Sequence, residues 1–355
     1  MTDHTLDRVV VGRWLALWAA ALFLLVLIGG GTRLTESGLS ITEWKPVSGV
    51  IPPLTDAAWT AEFEKYKQIP QYTQMNAGMT LGQFKGIFWW EFLHRFWARF
   101  VGVVFVLPLL WLAMRKRIPR DLLPRLATLG VLMGLQGAMG WYMVASGLTE
   151  RVNVSQYRLA AHLSLALVIY LLTVWTADTL ISGRDSSALG SPDQAAGQSG
   201  FIADAQKWRG ALARLLVLAF VTVVSGAFVA GLRAGRIYNE FPMMGARLIP
   251  AEYGQLAPWW KNLFENPAAA QFNHRFLAIA TALTVVIVWF RSRAAARGAL
   301  RMRMDLVLIA VAVQVALGIT VLLLGVPVLV GVAHQAGALL VLTALTLALC
   351  EASTG

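Results

Sequence analysis

The sequence predicts an all-α integral membrane protein with eight transmembrane helices, arranged as two parallel, pseudo-symmetric four-helix bundles. Hydrophobic residues make up 57% of the 355 residues, charged residues make up 14%, and the mean hydropathy is +0.61. This composition lies outside the range of soluble domains. Eight apolar stretches have about the 20 residues that a helix needs to cross the hydrocarbon layer. The two halves of the chain also repeat one another in sequence.

The apolar stretches predict the helices in order along the chain. The first follows two arginines but has no small-residue cleavage site leading to a soluble domain, so it is predicted to be a retained helix rather than a signal peptide. The eight predicted spans are residues 13–32, 92–114, 124–146, 159–181, 211–232, 272–290, 304–325 and 329–349.

The distribution of basic residues predicts the orientation of these helices. The short loops 115–125 and 291–303 carry five Lys or Arg residues each, which marks them as cytoplasmic. Both termini are then cytoplasmic, and the long segments 33–91 and 233–271 lie outside. The net charge of +11 is interpreted as this topology signal together with attraction to anionic membrane lipid, rather than as nucleic-acid binding.

Four of the five histidines lie at the predicted outer ends of the even-numbered helices, at similar depth on one side of the membrane. Ionisable residues in transmembrane segments are costly and usually mark a pathway or a cofactor. Imidazole is also a common ligand of heme iron. The pattern predicts two bis-histidine heme sites, with iron bound by His94, His162, His274 and His334.

An internal repeat predicts how the histidines pair. Aromatic-x-His-Arg-Phe occurs at His94 and again 180 residues later at His274, and the second histidines, His162 and His334, lie 172 residues apart. Because each unit crosses the membrane an even number of times, the copies are parallel. We expect one heme between His94 and His162 and another between His274 and His334. The bundles are residues 1–181 and 209–355, joined by a small, polar cytoplasmic linker at 182–208.

Two residue types beside the histidines are candidates for further roles. Glu91 lies three residues before His94 on the same helical face, where the second half has Gln271. It could act in proton exchange or stabilise a cation, or it could be an interfacial glutamate near a helix start, which the helix dipole favours. Arg95 and Arg275 each follow a histidine, and they could bind heme propionates or extend to the membrane surface.

Glycines and an aromatic loop add weaker signals. Gly134, Gly137 and Gly140 share a face of the third helix, and Gly29 to Gly31 end the first. Close helix packing and room for a flat porphyrin both explain them. The segment 33–91 is predicted to fold partly over the heme edge as a lid, with Trp44 to Pro46 touching the heme.

These motifs resemble the heme A synthase family over nearly the whole chain, except the tails and the linker. The resemblance rests on residues 29–53 and on EFLHRFWAR, QGAMGWYMVASGL, HLSLAL, YNEFPMMG, FNHRFLA and AHQAGA. It implies conversion of heme O to heme A, in which a ring methyl becomes a formyl group through successive hydroxylations, for oxidases of the cytochrome c oxidase type.

The resemblance also implies roles for the individual residues and partners. His94 and His162 would hold the substrate heme O, with Glu91 as the catalytic residue beside its methyl, and His274 and His334 would ligate a resident heme b. It implies the inner membrane of a bacterium, a heme O synthase as supplier, and an electron acceptor that the sequence does not identify. Because Cys350 is the only cysteine, no intramolecular disulfide can form, as in the subgroup shared by mitochondria and related bacteria.

Two other classes of protein remain open at this stage. A bis-histidine diheme b-type quinol oxidoreductase would use the same four ligands for electron transfer alone and would not need Glu91. A transporter or scaffold built on parallel repeats would keep the fold but leave the four histidines unexplained. The oligomeric state is also left open, including a homo-oligomer.

Overall fold

The computed structural model describes residues 3–45, 48–148, 152, 154–184, 199–293, 296 and 298–353. Within these residues the regular secondary structure is α-helical, with short 3-10 turns, connecting loops and one isolated bridge between Met244 and Arg247. The α-helices are α1 (Asp3–Leu34), α2 (Asp56–Tyr66), α3 (Pro70–Met75), α4 (Leu81–Met114), α5 (Leu123–Ala145), α6 (Gln156–Ile181), α7 (Ser199–Gly231), α8 (Pro267–Ser292), α9 (Gly298–Leu323) and α10 (Val328–Ser353).

Eight of these helices, α1 and α4 to α10, are long and apolar enough to cross a membrane, which confirms the predicted number of spans. Most of them are longer than the apolar stretches that predicted them. The α4 helix begins at Leu81 with a capping box between Thr80 and Gln83, and α8 begins at Pro267 with Asn266 as its N-cap. His94 therefore lies about three and a half turns inside α4, deeper along its helix than the apolar stretch indicated.

The helices pack around α1 and α7. Within the first half, α1 contacts α4 and α6, and α5 contacts α6; within the second half, α7 contacts α8 and α10, and α9 contacts both of them. The halves meet where α1 and α6 contact α10 and where α6 contacts α7. The α4 and α6 helices thus share one neighbour, α1, just as α8 and α10 share α7. A pseudo-symmetric pair of bundles remains a prediction.

Tryptophans tie α1 to α4 inside the apolar core. The indole nitrogens of Trp14 and Trp18 donate hydrogen bonds to the carbonyls of Val104 and Val101, at 2.8 and 3.1 Å. Trp97 donates in the opposite direction, to the carbonyl of Ala21 at 2.9 Å. These bonds satisfy the polar end of each buried ring, so the two helices are held in one register.

Residues 35–80, which we call the outer cap, fold into a unit with its own apolar core. The buried side chains of Leu39, Trp59, Phe63 and Tyr66 pack against Phe84 and Phe88 of α4. Tyr66 also donates a hydrogen bond to Gln71 and accepts one from Asn76, and burial raises the pKa of its hydroxyl.

The outer segment predicted at 33–91 is shorter at both ends in the structure, because α1 runs to Leu34 and α4 begins at Leu81. Of the predicted heme contact, Trp44 is 51% exposed, and Pro46 lies outside the described residues.

On the predicted cytoplasmic side, an ion-pair network joins the two halves. Asp178 of α6 pairs with Arg184 at 2.6 Å and with Arg303 of α9 at 3.1 Å, and Glu351 of α10 pairs with the same two arginines. The predicted linker 182–208 is only partly described: residues 185–198 lie outside the description, and residues 199–208 belong to α7. The composition of residues 199–208 gave no sign that α7 begins at Ser199.

Candidate functional site

Each of the four membrane histidines is partly buried and packs against a glycine of a neighbouring helix. A Cβ built on the glycine would lie 2.9 to 3.2 Å from the nearest imidazole atom in every case, closer than ordinary van der Waals contact. The pairs are Gly29 with His94, Gly140 with His162, Gly226 with His274, and Gly318 with His334. Gly134 and Gly137 have nothing within 4 Å. Of the six glycines noted in the sequence, Gly29 and Gly140 therefore make room for an imidazole, and the other four do not.

The histidines are coupled within each half of the chain. If protonated, His94 and His162 would repel each other, and so would His274 and His334. Among the described residues, no cluster of three or more His, Cys, Asp or Glu could hold a bare metal ion. A metal bound by two imidazoles must bring its other ligands with it, as iron does in a porphyrin. The residues present fit that requirement.

The hydrogen bonds of His274 define its tautomer. Its Nδ1 lies 2.8 Å from Ser225 Oγ and 3.1 Å from the carbonyl oxygen of Thr222, and the Ser225 hydroxyl also donates to that carbonyl at 2.7 Å. Because a carbonyl oxygen only accepts, Nδ1 must carry the proton. The lone pair is then on Nε2, the nitrogen that would bind iron.

His162 has a different environment. The amide nitrogen of Gln136 donates to the backbone carbonyl of His162 at 3.1 Å and lies 3.3 Å from Nε2 of the same residue. Since an amide nitrogen only donates, Nε2 accepts and Nδ1 carries the proton. That Nδ1 is buried without a hydrogen-bond partner, and so is Nδ1 of His334.

Glu91 is 2% exposed, and among the described residues it is the only charged residue that is buried. Its Oε2 accepts hydrogen bonds from Ser40 Oγ and from the Ile41 amide, both at 2.8 Å. Its Oε1 accepts from Nε and Nη2 of Arg95, at 3.0 and 2.5 Å. Four donors from the outer cap and from α4 therefore hold this carboxylate in one orientation.

Arg95 fastens the outer cap to α4. Besides Glu91, its guanidinium donates to the carbonyls of Ile41 at 2.8 Å and Glu43 at 2.9 Å, and it lies over the Trp44 ring. All three of its nitrogens thus have protein acceptors. In the structure, Arg95 contacts Glu91 and the outer cap. Its binding of a heme propionate stays a prediction.

The second half keeps this geometry but lacks the charge. Gln271 is buried, and its amide nitrogen donates to the Tyr238 carbonyl at 2.9 Å. Arg275 donates to the same carbonyl at 2.9 Å and to that of Met243 at 3.1 Å. The amide oxygen of Gln271 and Nε of Arg275 are buried without partners. An arginine holds an outer loop in both halves, but only in the first half is there an acid three residues before the histidine.

Sequence reasoning missed several of these contacts. Ser40 carries no pattern that separates it from other loop serines, and Ser225 lies in a helix where serine is common in membrane proteins. Gln136 could have been found, because a glutamine precedes the histidine-contacting glycine by four residues in both halves, at Gln136 and Gln314.

Comparison with known proteins gives consistent matches over the length of the chain. A family model described as cytochrome oxidase assembly protein (COX15-CtaA) matches residues 12–346. The heme A synthase of Parvibaculum lavamentivorans is 45% identical over 328 residues, which cover 92% of this chain and 90% of the relative. The heme A synthase of Nitrosomonas eutropha is 44% identical over 342 residues, 96% of this chain and 93% of the relative. That of Rhodopseudomonas palustris strain BisB18 is 49% identical over 348 residues, 96% and 90% of the two chains.

Proposed function

The chain belongs to the family of cytochrome oxidase assembly proteins matched above, and from that premise we propose that it is an oxidoreductase that converts heme O to heme A. The observation that carries the assignment of the chemistry to the first half is the buried Glu91 carboxylate. It lies about one turn before His94, and Gln271 takes its place before His274. His94 and His162 would bind heme O, and His274 and His334 would bind a resident heme b.

The reaction has a fixed balance of atoms and electrons. A ring methyl and one water give a hydroxymethyl group with loss of two electrons and two protons. A second such step gives a geminal diol, which loses water to leave the formyl group. A resident heme b would supply a nearby acceptor for the electrons, on their way to an acceptor that is not identified.

The chain's own residues orient the substrate and stabilise charge. Removing electrons from a porphyrin methyl leaves positive charge beside the ring, and a fixed carboxylate stabilises such charge without reorganising. Ser40, the Ile41 amide and Arg95 hold Glu91 in that role. The glycines facing His94 and His162 let each imidazole approach its neighbouring helix closely.

The proposal extends to the surroundings of the enzyme. The heme sites lie toward the outer face of the inner membrane of a bacterium, and both termini are cytoplasmic. A heme O synthase supplies the substrate, which reaches the protein through membrane lipid because of its long apolar tail.

The test compares Glu91→Gln with the wild-type protein, both purified in mild detergent from cells that make heme O. Extracted hemes are separated by chromatography. We expect the variant to keep both hemes and to form heme A at least about 100-fold more slowly, a loss typical of removing one electrostatic contact to a transition state. Glu36→Gln, which removes a different outer glutamate paired with Arg233, is the matched control.

Three outcomes would contradict the proposal. Full heme A production by Glu91→Gln would remove Glu91 from the chemistry. An unchanged heme b spectrum in His274→Ala would refute the assignment of the second pair. Two heme B molecules per chain with no heme O or heme A in the wild-type protein would instead favour a diheme electron-transfer protein.

A further inference from the structure

The two histidine pairs differ in how the protein supports the nitrogen that binds iron. In the second half, the hydrogen bonds of His274 run through Nδ1, to Ser225 and Thr222. A ligating histidine that donates its other ring proton to a protein acceptor is held in place and is a stronger ligand. The second half therefore has a firmly supported ligand whose lone pair is on Nε2.

In the first half, the hydrogen bond is on the nitrogen that would bind iron and not on the other ring nitrogen. The nitrogen of His162 that would bind iron accepts a hydrogen bond from Gln136, and Nδ1 has no partner. Gln136 is held in this position by its second bond, to the backbone carbonyl of His162. Iron can bind His162 only after the Gln136 amide has moved off the lone pair.

The repeat provides an internal comparison for Gln136. Gln314 occupies the equivalent place, four residues before Gly318, and the amide oxygens of both glutamines are buried without partners. Among the described residues, the side chain of Gln314 makes no hydrogen bond to the imidazole of His334. The contact between glutamine and the iron-binding nitrogen is therefore a property of the first half and not of the repeat.

From these contacts we infer that hydrogen bonding decides which heme stays and which one leaves. Ser225, with the Thr222 carbonyl, retains the heme of the second half. Gln136 donates a displaceable hydrogen bond to Nε2 of His162. This bond keeps the imidazole in the tautomer that binds iron, and it competes with iron for the lone pair of Nε2. Both are positioning residues. The inference rests on the proposed function for the identity of the two hemes, but it concerns their release and not their oxidation.

An enzyme of this kind needs that difference, because it must release its product and keep its cofactor. The bond from Gln136 reforms as iron leaves His162, so it favours release of the first heme. No equivalent bond favours release of the second. The bond to Ser225 is lost only if His274 itself moves.

The test measures heme release from the full-length protein, purified in detergent with its hemes bound. Excess apomyoglobin is added as a heme acceptor, and the hemes that remain on the protein are extracted and identified over time. We expect Ser225→Ala to release the second-half heme about 10 to 100 times faster. We expect Gln136→Leu, which has nearly the same size but cannot donate, to release the first-half heme about five to ten times more slowly, the effect of one lost hydrogen bond.

Matched controls separate these effects from general damage. Ser164→Ala removes a serine two residues from His162 whose hydroxyl bonds only the Ala160 carbonyl, and Gln314→Leu removes the equivalent glutamine. Both should leave both release rates within about twofold of wild type. Ser225→Thr keeps a hydroxyl and should restore slow release.

The inference is overturned if Ser225→Ala and Gln136→Leu leave both release rates unchanged. It is also overturned if Gln136→Leu releases heme faster, because Gln136 would then be an anchor. Release rates do not depend on turnover. A preparation that makes no heme A but shows the expected rates would refute the proposed function and leave this inference standing.

Discussion

Replacing each of three consecutive glycines of α1 by alanine is expected to damage three different parts of the molecule. A Cβ on Gly29 would lie 3.2 Å from Nε2 of His94, and a Cβ on Gly31 would lie 2.5 Å from the Trp90 ring. A Cβ on Gly30 would lie 1.6 Å from Oε1 of Gln335, the neighbour of His334 in the second half. Gly29 thus faces the first histidine pair, Gly30 faces the neighbour of the second pair, and Gly31 faces the turn of α4 that carries Glu91.

The distances set the size of each effect. Gly30→Ala must displace Gln335, whose amide donates to the Val26 carbonyl at 3.1 Å. Loss of that bond and overpacking together cost about 1–4 kcal/mol. Gly31→Ala meets a rigid indole, so the α4 helix must move and carry Glu91 with it. Gly29→Ala needs a shift of only a few tenths of an ångström, but it places a methyl beside the nitrogen that would bind iron.

Heme content and absorption spectra of the purified variants distinguish these effects. We expect Gly29→Ala to lose first-half heme and keep heme b, Gly30→Ala to perturb the heme b spectrum from a helix of the other half, and Gly31→Ala to keep both hemes but make less heme A. Gly134→Ala, where the Cβ meets open space, is the control and should behave as wild type. If all three variants lost the same heme, or if none differed from the control, the assignment of these contacts would be refuted.

Three further predictions concern charged groups. Arg95→Gln should lower the free energy of unfolding by about 3–5 kcal/mol, because Glu91 loses a buried partner; an unchanged thermal midpoint would contradict this. Asp178→Asn should cost up to about 2 kcal/mol, because two ion pairs of up to about 1 kcal/mol each are lost, while both heme spectra stay intact; altered spectra would show that the network reaches the heme sites. The hydrogen bond from Tyr238 to Glu252 lowers the pKa of Glu252 and raises that of Tyr238. Its stabilisation of the outer loop is therefore present above the ordinary pKa of a glutamate, lost as pH falls through the lowered value, and lost again as pH rises through the raised tyrosine pKa. Limited proteolysis of this loop across the pH range, compared with Glu252→Gln, should show both losses in the wild-type protein only.

The helices could be predicted from sequence because the bilayer imposes a simple rule on them. A run of about twenty apolar residues has no alternative to a spanning helix, so all eight spans were found. Their outer turns were not found, since Thr80 and Asn266 cap helices in water, where hydropathy gives no signal. For the same reason residues 199–208 were assigned to a linker, although they continue α7.

The candidate site was predictable only in its periodic part. The histidines were singled out because the sequence predicts them at one level on alternate helices, and Glu91 was singled out because Gln271 breaks the repeat. Their roles stay predictions. The partners that orient them come from elsewhere in the chain. Ser40 reaches Glu91 across 51 residues, and Gln136 reaches His162 across 26. Such contacts depend on how the helices and the cap pack, and no local pattern encodes them.

The outer cap gives this chain two sources of stability that respond to different solvents. The core around Trp59, Phe63 and Tyr66 lies in the cap and against the first turns of α4, on the predicted outer side of the membrane, where water would drive its burial. The spanning helices associate in lipid, where close packing rather than the hydrophobic effect holds them together. Cold and urea weaken the first kind of burial, and either would loosen the cap while the bundle stayed folded. Because Ser40 and Ile41 belong to the cap and Glu91 belongs to the bundle, the carboxylate lies at the boundary of these two regimes.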